Sequence, residues 1–213
     1  MRYQDFFWDF DGTLVDTYPG MVRAFSAALI ASGVNDFEID QGAIMQAMRQ
    51  HSFGTALQQF CAEYQLDQHR VKRLYDLKMP AEFPTAPAFK GLADILTWIT
   101  DQGGRNFLLT HRDHAAIERL TALDVWSTFS GAVTKDDDFP RKPDPTSLLS
   151  LCEQYAVDRQ RAVMIGDRNL DIQAAQRAGM AGILFDPDHR ISLDSQPMVR
   201  VTQLPELQAW LAE

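Results

Sequence analysis

Residues 3–10 are mostly aromatic or apolar and stop at Asp11-Gly12-Thr13, the pattern of a short buried strand running into a turn. After Pro19 the spacing changes. Met21, Val22, Phe25, Leu29 and Ile30 recur at helical intervals until Gly33. Three more helices are predicted at 41–49, at 55–64 behind Ser52 as a cap, and at 67–79. No strand pattern occurs between Asp16 and Phe83. Pro80, Pro84 and Pro87 then mark a stiff connector, because proline lacks the N–H that would continue a helix.

Beyond the connector, helices and short apolar strands alternate. Helices are predicted at 92–102, 113–123, 145–155, 170–178 and 205–211, and strands at 106–110, 132–134, 162–165 and 183–185. Apolar strands separated by helices predict an α/β fold, a doubly wound parallel sheet covered on both faces. The expected organisation is an α/β core built from 1–15 and 85–213, with a helical domain of residues 16–84 inserted after the first strand. Ligands of such sheets bind at the carboxyl ends of the strands, so residues just after strands are the ones to inspect.

Composition narrows the function classes. The formal net charge of −9 provides no broad positive field, which argues against nucleic acid or an anionic membrane as partner. Cys61 and Cys152 form no disulfide framework and fall in apolar helical stretches. Asp5, Asp9 and Asp11 break the first apolar run, and no uncharged stretch reaches the length of a membrane span. A cytoplasmic protein is expected, monomeric or weakly dimeric. Its standard nucleotide-binding glycine loops are missing, as are zinc-ligand spacings and any Ser-His-Asp or Cys-His arrangement.

Three D-x-D pairs occur, 9/11, 136/138 and 186/188, where chance gives about two. Only Asp9/Asp11 ends an apolar strand and is followed by Gly-Thr; the other two read as solvated turns or helix caps. The period of two aims both carboxylates to one side, and Gly12 lets the backbone turn so that its N–H can face an anion. Two close carboxylates call for a cation, or for a nucleophile beside a general acid; a plain Asp-Gly turn is the alternative. Asp167 and Asp171 follow the strand 162–165, four residues apart at a helix start, where they serve either as cation ligands or as caps. Oxygen donors without histidine or thiol suit a hard cation, with Mg²⁺ foremost. Lys142, fixed by neighbouring prolines, could hold phosphate charge and moderate carboxylate repulsion. Thr110 ends a strand where a hydroxyl could meet a phosphate oxygen, and His111 follows with a ring or a backbone N–H to offer.

Taken together, Asp9-Phe10-Asp11-Gly12-Thr13-Leu14-Val15-Asp16, Thr110, Lys142-Pro143 and Gly166-Asp167-Arg168-Asn169-Leu170-Asp171 resemble the four motifs of the haloacid dehalogenase superfamily, in the right order. The helical block lies where that superfamily inserts its type-one cap, so the resemblance spans essentially the whole chain. It implies Asp9 as nucleophile, forming an aspartyl-phosphate, with Asp11 as acid and then base. It further implies Mg²⁺ held by Asp9, the backbone carbonyl of Asp11, and Asp167, with Asp171 as ligand or support. Gly12, Thr110, His111 and Lys142 would surround the phosphoryl group. An aspartate at position 11 separates phosphotransfer members from dehalogenases, whose halide leaves without a proton. The expected partner is a small phosphorylated metabolite, and phosphoglycolate phosphatase-like members are the most similar branch. Arg49, His51 and Ser52 are candidates for contacting the non-phosphate end of the substrate. Arg141 departs from the family, many of whose members carry glycine there. A phosphomutase like β-phosphoglucomutase remains an alternative, and a phospho-accepting signalling module is the alternative from another class.

Overall fold

A computed structural model describes residues 1–213. The chain separates into two compact units, residues 1–15 with 88–213, and residues 16–87. The first unit begins with strand β1 (Asp5–Trp8), every residue of which is buried. Full burial of Phe6 and Phe7 contributes about 1.5–3 kcal/mol each.

The helical unit follows without a strand: α1 (Tyr18–Ala31), α2 (Gln41–Gln50), α3 (Phe53–Glu63) and α4 (Gln68–Glu82). Each start after the first is capped by a side chain, Ser52 as expected and Asp40 and Asp67 besides. Asp40, Ser52 and Asp67 accept N–H bonds from Ala43, Thr55 and Arg70 at 2.9, 3.0 and 2.7 Å. Phe25, Phe60, Val71 and Tyr75 form the centre of this unit's own core, with Phe53 stacked on Tyr75 at 4.1 Å between centroids. The helix α4 runs through Pro80 rather than ending before it. The Phe83 N–H bonds back to the Met79 carbonyl, and Arg23 of α1 clasps Glu82 at 2.6 and 2.9 Å, so the last turn stays wound. The expected stiff connector is therefore shorter, a single 3-10 turn at Phe83–Thr85. The Asp16 N–H donates to the Pro87 carbonyl at 2.9 Å, bringing the two ends of the unit together.

The remaining elements alternate: α5 (Leu92–Asp101), β2 (Arg105–Leu109), α6 (Ala115–Ala122), β3 (Phe129–Val133), α7 (Thr146–Gln154), β4 (Ala162–Gly166), α8 (Asn169–Ala178), β5 (Ala181–Phe185), β6 (Val199–Val201) and α9 (Leu204–Ala212). All six strands are parallel, in the order β3-β2-β1-β4-β5-β6. The α/β fold class is as expected, and β6 is an addition. The sheet winds outward through β2 and β3, then returns to β4 on the other side of β1, which makes β1 the switch point. At the opposite, amino end of the sheet, buried Asp5 accepts the Arg105 Nε–H at 2.6 Å across the β1–β2 register.

Asp186, read from sequence as part of a solvated turn, is fully buried at the end of β5. Its carboxylate accepts the N–H groups of Arg190 and Ile191, both at 3.1 Å, and binds the Arg200 guanidinium on β6. That carboxylate is a staple for the loop between β5 and β6. No helix is long and apolar enough to cross a membrane.

Candidate active site

The carboxyl ends of β1, β2 and β4 meet around one buried cluster. Asp9 follows β1 directly and donates its N–H to the Ile165 carbonyl of β4 at 2.9 Å, which fixes where its side chain leaves the sheet. Asp167 follows β4, and Asp171 sits in the first turn of α8. Carboxylate oxygens of Asp9, Asp167 and Asp171 all lie within 4.8 Å of one another, and all three residues are buried. Gly166 is required beside them, because a Cβ there would overlap the carboxyl of Asp171.

Lys142 reaches into this cluster from the loop before α7. Its Nζ donates to Asp9 Oδ1 at 2.7 Å and to the Leu109 carbonyl at 3.0 Å, and pairs with Asp171 Oδ1 at 2.6 Å. Burial opposes the charged ammonium, but Asp171 and then Asp9 outweigh it and hold the lysine pKa above its usual value. For Asp171 burial dominates and raises the pKa, with Lys142 opposing. The Lys142 ammonium thus stands between the carboxylates of Asp9 and Asp171.

Three buried carboxylates face this single ammonium, and Arg168 Nε stands 3.5 Å from Asp167 Oδ1. Asp9 Oδ2 is buried without a hydrogen-bond partner. An unpartnered buried carboxylate oxygen beside two further carboxylates is costly unless a cation completes the site. The all-oxygen donor set therefore fits a hard divalent cation.

The neighbouring loops place the other predicted residues less uniformly. Thr110 continues β2, and its hydroxyl oxygen accepts the Arg112 N–H at 3.0 Å, leaving its own hydrogen for another acceptor. Gly12 adopts the left-handed φ of 78° that its turn requires, but its N–H donates to the Val15 carbonyl at 2.8 Å. That bond closes the turn internally, so the expectation of an anion-facing Gly12 N–H is corrected. The His111 ring is engaged within the protein, leaving the backbone N–H as the group this residue offers: its Nε2 accepts the Lys142 backbone N–H at 2.8 Å, and Arg141 Nη2 stands 3.1 Å from Nδ1. Burial first, then Lys142, Arg141 and Arg168, push the His111 pKa down to about 2, so the ring is a neutral acceptor that anchors the lysine loop. Asp11 lies outside the carboxylate cluster, and its side chain pairs with Arg112 at 2.7 Å.

Arg49, His51 and Ser52 belong to the helical unit. Arg49 is buried, with its guanidinium 5.6 Å from the centre of the Tyr18 ring. The Ser52 hydroxyl accepts the Thr55 N–H that caps α3 and stands 3.0 Å from the Thr55 hydroxyl. Sequence reasoning missed Arg112. Its signal was present, a basic residue two positions beyond a strand end, but its partner lies 101 positions away.

Comparison with known proteins identifies the family. The family model for haloacid dehalogenase-like hydrolases matches residues 6–185. A phosphoglycolate phosphatase from Pseudomonas putida is 23% identical over 197 residues, covering 89% of this chain and 72% of the relative. A Dickeya dadantii protein named probable phosphatase IndB is 30% identical over 182 residues, covering 83% and 78%. Among solved structures, a predicted phosphoglycolate phosphatase from Haemophilus somnus superposes with a TM-score of 0.83 at 18% identity, over 99% and 98% of the two chains. A hydrolase from Streptococcus pneumoniae is 30% identical with a TM-score of 0.69, over the full length of both chains. With its α/β sheet, its strand-end aspartates and a family match spanning most of its length, the chain belongs to the haloacid dehalogenase-like hydrolases.

Proposed function

We propose that the protein is a Mg²⁺-dependent phosphatase that hydrolyses a small phosphomonoester through an aspartyl-phosphate. The observation that carries this reading is the buried trio Asp9, Asp167 and Asp171 with Lys142 at the sheet's switch point. Asp9 Oδ1 is held by Lys142, which orients the carboxylate, while the buried Oδ2 has no hydrogen-bond partner. Asp9 attacks phosphorus, the ester P–O bond breaks, and its electron pair goes to the leaving oxygen, which takes a proton from Asp11. Water then attacks the same phosphorus and gives a proton to Asp11, while the bond from phosphorus to Asp9 breaks and regenerates the carboxylate. The Thr110 hydroxyl and the Lys142 ammonium steady the phosphoryl oxygens as charge redistributes. Asp9, Asp167, Asp171 and the main-chain carbonyl of Asp11 would hold the divalent cation, which supplies charge neutralisation.

Relatives named phosphoglycolate phosphatase favour a short phosphorylated acid as substrate, and the metabolite panel should begin there. Asp9→Asn is expected to abolish turnover while the far-ultraviolet circular dichroism stays that of wild type. Activity retained in this variant, or a folded wild-type protein that hydrolyses no phosphomonoester with Mg²⁺, would overturn the proposal.

A further inference from the structure

Two residues after Thr110, Arg112 holds the carboxylate of Asp11 from the side. Its Nη2–H donates to Asp11 Oδ1 at 2.7 Å, and its Nε–H is shared between Oδ1 and Oδ2 at 3.1 and 3.2 Å. A planar guanidinium engaging both oxygens restrains a carboxylate in direction as well as distance, which a single hydrogen bond does not. The arginine is itself anchored. Its N–H donates to the Thr110 hydroxyl, its carbonyl accepts the Lys135 N–H at 2.9 Å, and its guanidinium carbon lies 6.0 Å from the centre of the Phe10 ring.

The two loops joined by this pair need no ion pair to stay together. The β1–β2 ladder runs continuously beneath them, and Thr110 N–H continues the sheet pattern to the Val133 carbonyl at 3.0 Å. The Lys142 ammonium contacts Asp9, Asp171 and the Leu109 carbonyl. The two-oxygen contact of Arg112 falls on the carboxylate assigned proton transfer.

We propose that Arg112 is a positioning residue for Asp11, holding its carboxylate in the direction from which it serves the leaving oxygen. The inference rests on the phosphatase reading above. It makes the leaving-group step, rather than phosphoryl binding, the part of the reaction that depends on Arg112.

The test uses the full-length protein with Mg²⁺ and two esters. Phosphoglycolate releases an alkoxide that needs a proton; p-nitrophenyl phosphate releases an anion that does not. Because kcat/KM reports steps only through phosphorylation of Asp9, it isolates that difference. In Arg112→Ala, kcat/KM for phosphoglycolate should fall about 100-fold, the lower end of general acid–base effects, with the nitrophenyl ester changed less than about threefold. KM for phosphoglycolate should move little while kcat falls. Arg112→Lys should recover part of the loss, and millimolar guanidinium should raise the alanine variant's rate on phosphoglycolate alone. Equal losses on both esters, in Ala and Lys variants alike, would make the pair merely structural and overturn the inference while leaving the phosphatase reading intact. A wild-type protein inactive on both esters, and on the wider metabolite panel, would sink both.

Discussion

His111 directly follows Thr110 at the end of β2, and its ring serves the protein's own backbone. A neutral imidazole accepting the Lys142 N–H fixes the loop from which the ammonium reaches Asp9. This has a stability consequence whose sign is defined. The folded pKa is depressed to about 2 from 6.5, so below pH 6.5 the unfolded chain binds a proton that the folded one refuses. The stabilisation is complete above 6.5 and is lost progressively as pH falls toward 2. Between neutral pH and about pH 4 the wild type should lose about 3 kcal/mol that His111→Gln, lacking this titration, does not lose. Urea denaturation of both proteins across that pH range measures it, and parallel curves would contradict the assignment. At this scale the sequence displayed the residues better than their partners. Asp9 and Asp167 were legible because strand ends in a parallel sheet converge. The tie from His111 to Lys142 and the grip of Arg112 on Asp11 depend on side-chain direction across 31 and 101 positions, which no periodicity encodes.

Among the elements, long periodic helices and fully apolar strands could be read from sequence because burial dictates their pattern. β6 could not. Its three residues, Val199-Arg200-Val201, carry too little apolar signal, and their place in the sheet is set by Asp186 at the end of the preceding strand. The same loop is tied to α8 by Asn169, whose Nδ2–H donates to Ser192 O at 2.8 Å and whose Oδ1 accepts from Ser195 Oγ at 2.7 Å. Asp186→Ala would leave Arg200 and two backbone N–H groups without their acceptor. It should destabilise by about 3 kcal/mol, lowering Tm by about 6–12 °C for a chain of this size. Hydrogen exchange should rise first at Val199 to Val201; unchanged protection there would show that the strand does not depend on the staple. α4 taught the opposite lesson. Pro80 signalled an end in the sequence, but packing and the Arg23–Glu82 pair carry the helix past it.

For the molecule as a whole, the acidic surplus gathers three buried carboxylates, Asp9, Asp167 and Asp171, at one focus. Saturating that focus with a divalent cation should stabilise the native state by mass action. At one hundred times the dissociation constant, Mg²⁺ should add about 2.7 kcal/mol, and chelation should remove it. A thermal shift present in wild type and absent in Asp167→Asn would locate the effect, while equal shifts in both would place the ion elsewhere. The order of the motifs made the architecture readable, since each falls after a strand and the helical unit interrupts the chain only once. That same order burdens biosynthesis. β1 is made early, but Asp5 pairs with Arg105 on one side and Ala162 on the other. At ribosomal rates of about 5–20 residues per second, Phe6, Phe7 and Trp8 wait about 8–30 s before their second neighbour is translated. Throughout that interval the future centre of the sheet is a naked, sticky aromatic segment on a nascent chain, an obvious client for a ribosome-associated chaperone.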